Sequence, residues 1–499
     1  MVLTVDIGTS VFKSAVWDYG GKKKAFASVP LSISLSDEFA SASPHHEADS
    51  RQWLAAFKNC CRRLGAETPL SAVEAIVISG HGPSLVPVLK GDRGSEAGGQ
   101  GPGNSSETLH LYFSHSNLSP AAPVRLWLDR RAEKAAEQVS ALIGSHVDAG
   151  FFLPKILGIK TDEPELYQNT EFFLGCPEFL AFALSGGART VFPSDGFERW
   201  YWDDAILSSL GLDKEKFPPF IRPGESFGSL TPQIASYFGF ARNVPVIAGG
   251  PDFFPAILGA GVMQPGQACD RAGTSEGINA CTKNFLADKR LMCYGHPVKP
   301  HWNLSGVITT TGKAVEWGRN LLSLKQYDDF YALAETAKAG AGGLVFLPYL
   351  AGERAPVWNP SARGTLSGLS LATGSPDLAR SVLEGIGFAI RDVIEAMEET
   401  GAAIGELRVA GTSSGNRLLN QIKADITGKP VHIPRQKESE LLGLAIIGAC
   451  ALRKYSSFSE AVSALVQIEE TCIPDKNNAA LYDTLFKNYV RIRNYADGN

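Results

Sequence analysis

Apolar and polar positions alternate in three short runs at the start of the chain, Val2 to Val5, Ser14 to Trp17 and Ala25 to Ser32, each broken off by turn residues. Such a period of two predicts an antiparallel meander. The period then lengthens: Trp53, Phe57 and Cys60 recur at helical spacing, and with Asp49 as cap they predict a helix from about Ser50 to Leu64. A strand over Ala75 to Ser79 follows and ends at Gly80-His81-Gly82-Pro83. Meander, helix and strand in that order describe an α/β domain with a mixed sheet. Between residues 90 and 122 the patterning lapses among Gly91, Gly94, Gly98, Gly99, Gly101 and Gly103, which predicts a surface insertion. It resumes as a strand from Val124 to Leu128, ending at Asp129-Arg130-Arg131. An amphipathic helix then runs to about Gly144, with Ala132, Ala135, Val139 and Leu142 on one face.

From about residue 248 the plan repeats, with strands expected around Gln267 to Cys281. Pro376-Asp377 opens a long helix to about Thr400, whose stripe is Leu378, Val382, Ile386, Ile390, Val393 and Met397. Gly385 and Gly387 inside it imply close packing against a neighbour or a ligand. Leu407 to Ala410 reads as a strand, Gly411 to Gly415 as a turn, and Asn416 to Thr427 as a helix stopped by Gly428-Lys429-Pro430. A chain of 499 residues is too long for one core, so two domains are expected, residues 1–247 and 248–499, with the last helix a candidate to pack back on the first.

Composition narrows the function. The chain is 44% hydrophobic and 20% charged, ordinary for a globular protein, and carries no run of 18 uncharged apolar residues. Neither a membrane partner nor a signal peptide is indicated, and a cytoplasmic location is expected. A net charge of -5 offers no general attraction to nucleic acid. The eight cysteines lack CxxC spacing and read as reduced thiols.

The chemistry lies in a loop that occurs twice: Asp6-Ile7-Gly8-Thr9-Ser10, and Asp270-Arg271-Ala272-Gly273-Thr274-Ser275. Each joins a strand-like approach to a glycine and two hydroxyl residues, where backbone N–H groups can cradle phosphate oxygens. Asp6 is the candidate Mg2+ carboxylate, and Thr9, Ser10 and Lys13 are candidates for the β- and γ-phosphates. Between the loops, Val244 to Gly250 ends at Pro251-Asp252. Asp252 has the form of a general base for an attacking hydroxyl, with the apolar Phe253-Phe254 beside it to exclude water. The same carboxylate also suits an N-cap for a helix from Phe253 to Gly259.

These residues resemble the FGGY carbohydrate kinases, and among them the xylulokinases, from Asp6 to about Gly448. The most specific match is Gly364-Thr365-Leu366-Ser367-Gly368-Leu369, followed after seven residues by Asp377 to Glu384. Glu47-Ala48-Asp49 with Trp53, Phe346 to Pro356, and Ala424-Asp425-Ile426-Thr427-Gly428 are similar too. The resemblance implies an α/β fold of two actin-like, ribonuclease-H-like domains with an interdomain cleft where ATP and a sugar meet. It implies Mg2+ at Asp6, phosphates at Thr9, Ser10, Lys13, Gly273, Thr274 and Gly312, and adenosine at Gly411 and Asn416. Asp252 becomes the catalytic base, and His81, Asp129 and Phe253 fall to the sugar side. The expected acceptor is a small sugar or polyol, a xylulose-like ketose first. Glycerol, ribulose, another acceptor, or a degenerate sensor is the alternative, and a homodimer is a further candidate. Departures fall at the sugar: His81-Gly82-Pro83-Ser84 stands where xylulokinases carry Gln-Met-His-Gly, and Phe253 where they carry an amide.

Overall fold

The computed structural model describes residues 1–31, 45–90, 122–411 and 414–496. The surface insertion read at 90–122 lies, but for its two end residues, outside the described residues, as do Thr412 and Ser413 of the turn after Gly411. The chain forms two compact units: Met1–Pro255 with Glu440–Leu465, and Ala256–Ser439 with Val466–Asn499.

The first unit is built on a six-stranded sheet, in the order Ser226–Ser229, Pro245–Pro251, Ala75–Gly80, Val2–Ile7, Val11–Trp17 and Lys23–Pro30. The meander read from the sequence is its right-hand half. Val2–Ile7 also lies parallel to Ala75–Gly80, which lies parallel to Pro245–Pro251. Arg51–Glu67 packs Trp53, Phe57, Cys60 and Leu64 into the core. Its cap differs from expectation: Ser50 is the N-cap, and Asp49 accepts from Arg51 N–H (2.9 Å) and the Arg51 guanidinium. Val124 to Leu128 is a strand only at Val124–Arg125, and Leu142, in the last turn of Glu133–Ile143, is exposed rather than on the buried face.

The second unit repeats this plan on a seven-stranded sheet. Gly266–Ala272 turns back into Glu276–Thr282, lies parallel to Ile404–Ala410, and that strand lies parallel to Val431–Pro434. The long helix Ser375–Glu399 crosses its core. Both glycines in it mark close packing: a Cβ at Gly385 would stand 2.5 Å from the Phe346 carbonyl oxygen, and one at Gly387 2.7 Å from Ile426 Cδ1.

The division falls at Pro255/Ala256 rather than 247/248, and a different helix returns to the first unit. Ser439–Ala451 is apolar on every side, so it is stable only where it is buried all round. A Cβ at Gly448 would lie 2.7 Å from Val2 and Val77 side chains. The last helix, Lys476–Ala496, instead adds Tyr482, Phe486 and Tyr489 to the core of the second unit. Among the described residues no helix is long and apolar enough to cross a membrane.

Candidate active site

In the first unit the candidate side chains Asp6, His81 and Asp252 gather at the carboxyl ends of parallel strands. Asp6 sits opposite Ser79 on the central strand Ala75–Gly80, and on its other side Pro251 sits opposite Gly80. Asp252 follows, its N–H donating to the Gly80 carbonyl (3.2 Å), and opens the helix Phe253–Gly259. Parallel neighbours lie about 4.8 Å apart, so the backbones of the two outer strands lie at roughly twice that spacing. Glycine is required at Gly8, where a Cβ would stand 2.7 Å from the Val11 carbonyl oxygen that accepts the Gly8 N–H (3.1 Å). Lys13 lies directly opposite Asp6 on the antiparallel partner strand, so the two side chains share a face. Ser10 is exposed, and the Thr9 hydroxyl accepts from the Trp127 indole N–H (3.2 Å), tying this loop to the segment before Asp129.

The central strand ends at Gly80, and His81 follows it. Its Nδ1 lies 2.7 Å from Ser84 Oγ, and its Nε2 lies 3.8 Å from Cys176 Sγ. Burial pushes the imidazole down to about 4, against the pull of Asp252, so it is neutral at physiological pH. Ser84 Oγ also accepts the Trp127 N–H (3.0 Å). Lys155 is buried and donates to the carbonyls of Pro83 (2.8 Å), Leu126 (2.6 Å) and Arg125 (3.4 Å). It thereby joins the His81 loop to the Asp129 loop. Burial holds its ammonium well below the usual lysine range.

Asp129 is fully buried. Its oxygens accept from His46 N–H (2.9 Å) and the Arg131 guanidinium (2.7 Å). The arginines of this cluster are all held: Arg131 also bonds Glu47, Arg125 bonds Glu47 and Glu163, and Arg130 bonds Asp148. Phe253 is half-buried, and its ring stacks on Phe197 at 6.0 Å and 11°. Phe197 meets Trp200 edge-on, and Trp200 stacks on Phe151. An aromatic cluster therefore begins at the residue after Asp252.

In the second unit the loop after Ala272 closes with Gly273 N–H donating to the Ser275 carbonyl (3.0 Å). The segment 309–312 leans on it: Thr311 N–H donates to the Thr274 carbonyl (3.3 Å) and Gly312 N–H to the Gly273 carbonyl (3.1 Å). A Cβ at Gly312 would come within 2.3 Å of the Gly273 carbonyl oxygen, and one at Gly411, whose φ is +84°, within 2.2 Å of the Ala272 carbonyl oxygen. The structure thus brings Gly273, Thr274, Gly312 and Gly411 together. Asn416 is the N-cap of Arg417–Thr427, and its Oδ1 accepts the Leu419 N–H (2.8 Å), so only its amide N–H groups remain for a ligand.

The two loops are not equivalent at their acidic residues. Aligned on Gly8 and Gly273, Asp6 matches Arg271, and Asp270 lies one residue earlier, on the opposite face of its strand. There Asp270 is buried and pairs with Lys423 (2.7 Å).

Sequence reasoning noted Pro154-Lys155 and Asp129-Arg130-Arg131 but gave Lys155, Trp127 and Arg131 no role, because their contacts are distant in sequence. It also missed Thr310 and Thr311, whose buried hydroxyls have no hydrogen-bond partner among the described residues. The run Thr309-Thr310-Thr311-Gly312 after a strand was a usable signal, being a third hydroxyl-and-glycine turn. Asp6 is a buried carboxylate at a strand end, a hard oxygen donor of the kind Mg2+ takes singly or in pairs with phosphate oxygens. The residues present fit such an ion brought with a nucleotide.

Known proteins resemble the whole chain. Residues 111–259 match the N-terminal domain of the FGGY family of carbohydrate kinases, and residues 271–452 its C-terminal domain. The xylulose kinase of Escherichia coli (strain K12) is 26% identical over 510 residues, covering 99% of this chain and 98% of that protein. Crystal structures of a gluconate kinase and a ligand-bound xylulose kinase, both from Lactobacillus acidophilus, each superpose with a TM-score of 0.83 over 99% of this chain and 98% of theirs. Their identities are 22% and 23%.

Proposed function

The chain belongs to the FGGY family of carbohydrate kinases, sugar phosphotransferases that use ATP as phosphate donor, and on that premise we propose that it phosphorylates a neutral ketose of the xylulose type with Asp252 as general base. The observation that carries the reading is the pair of carboxylates, Asp6 and Asp252, on the strands either side of Ala75–Gly80, which leads into His81. They divide the work. Asp6 with Lys13 and the Gly8–Ser10 turn serves Mg2+ and phosphate, while Asp252 accepts the proton of the acceptor hydroxyl. Mg2+ supplies charge neutralisation on the phosphates when bound. Because the transition state is loose, Asp252 contributes chiefly by orienting the hydroxyl and removing its proton late.

The second-unit loop serves the nucleotide through the N–H groups and hydroxyls of Gly273, Thr274, Thr310, Thr311 and Gly312. On the acceptor side, His81 is neutral and adds no charge. A neutral acceptor is favoured over an aldonate because Arg125, Arg130 and Arg131 are each already bonded to carboxylates and Lys155 to three carbonyls. An anionic sugar would meet Asp252 and Glu47 while these four cations are engaged elsewhere.

Release of ADP from Mg-ATP over a panel of ketopentoses, aldoses, polyols and gluconate tests this. Turnover of a ketopentose is expected. Gluconate as the preferred panel member would overturn the neutral-acceptor reading.

A further inference from the structure

A buried group of three charged side chains lies beneath the second loop. Lys423, on Arg417–Thr427, bonds Asp270 (2.7 Å) and Glu276; the three are 1%, 0% and 2% exposed. Asp270 and Glu276 stand on the two stems of the loop, since Gly266–Ala272 leads into it and Glu276–Thr282 leads out, with Ala272 opposite Glu276. One ammonium therefore grips both stems. It does so from the helix whose N-terminal side carries Gly411 and Asn416.

From this geometry we infer that Lys423 is a positioning residue for ATP, fixing the phosphate-binding turn Gly273–Ser275 against the nucleoside-side turn that begins at Gly411. The inference rests on reading both turns as nucleotide-binding. Three features support it. Packing alone does not call for buried charge here, because a hydrophobic trio of similar volume is usually at least as stable. The link is rigid at its far end as well: Asn420, one turn before Lys423, donates to the Ser414 carbonyl (2.8 Å), and Ser414 Oγ donates to the Gly411 carbonyl (2.7 Å). Finally, burial and then the neighbouring Asp270 carboxylate push Glu276 above the usual carboxylate range, so the Lys423 ammonium holds together two carboxyl groups that disfavour each other's charge beneath the loop.

The test compares the intact chain with Lys423→Met/Asp270→Asn/Glu276→Gln, which removes the charges together and leaves none stranded. ATP binding is read by titration calorimetry without acceptor, and KM is read separately for ATP and for the acceptor. The expected result is a native fold, an ATP Kd and KM raised about tenfold or more, and an acceptor KM within about twofold of the wild type. Unchanged ATP affinity in the folded variant would overturn the inference and leave the group a purely structural one. Should the neutral variant not fold, Lys423→Arg, which keeps the charge but alters the reach, is measured in the same way: weakened ATP binding supports the inference and unchanged binding overturns it. A wild-type chain that does not bind ATP would remove both the inference and the nucleotide reading beneath it; failure on the sugar panel alone would touch neither.

Discussion

Asp6 and Asp252 leave the carboxyl ends of two strands that lie parallel on either side of Ala75–Gly80, Asp6 opposite Ser79 and Asp252 one residue beyond the partner of Gly80. Two like charges held on separate strands cannot exchange roles. Asp6→Asn is expected to raise the KM for Mg-ATP about tenfold or more and the Mg2+ concentration for half-maximal rate with it, while the acceptor KM stays put. Rates measured across a Mg2+ titration check this, and an unchanged Mg2+ dependence would count against metal binding at Asp6.

Lys155 holds the His81 and Asp129 loops together through three carbonyls that its ammonium gathers at one point. Lys155→Met leaves buried acceptors unsatisfied, although it also removes a desolvated charge. The expected net loss is about 2–4 kcal/mol in urea unfolding, with a raised acceptor KM in the fraction that folds. An acceptor KM equal to wild type would mean the loops keep their places without the ammonium.

Glu178 is buried, accepts the Val191 N–H (3.2 Å), and is pushed by burial from 4.5 up to about 7. The folded chain keeps this proton at pH values where the unfolded chain has released it. Its contribution is therefore present in full below about 4.5 and lost as pH rises through about 7. Glu178→Gln imitates the protonated form, so the variant is expected to match wild type near pH 5 and to exceed it by about 2–3 kcal/mol near pH 8. Urea midpoints at the two values decide it, and a pH-independent difference would contradict the raised carboxyl.

Phe253 gives one face of its ring to Phe197, and it immediately follows Asp252. Phe253→Asn exchanges that stacking for an amide near the acceptor. It is expected to cost about 1–3 kcal/mol of stability and to shift kcat/KM toward ketopentoses over other panel members by about tenfold. No shift across the panel would mean that the ring serves packing alone.

What could be read from sequence was what has a local signature. The two glycine turns, Asn416 as a helix start, the stripe of Ser375–Glu399 and the close approach at Gly385 each follow from residue type at fixed spacing. Asp270 shows where that stops. It precedes Gly-Thr-Ser much as Asp6 does, yet one extra residue reverses its face, and in a strand parity decides whether a carboxylate meets a ligand or a core. Its partner Lys423 lies in a distant helix, and Lys155 reaches back to Pro83 in the same way. Such pairings exist only once the sheet is assembled. Ser439–Ala451, an apolar helix, gives no sign in its own sequence of which core it enters.

Asp252→Asn in the ADP-release assay tests the central claim most directly. The amide keeps the shape of the strand end and the helix start at Phe253 but cannot take the acceptor's proton. The expected result is ATP binding within about twofold of wild type and kcat lower by about a hundredfold to ten-thousandfold. Wild-type kcat in a folded Asp252→Asn chain would contradict it and remove Asp252 from the proton transfer.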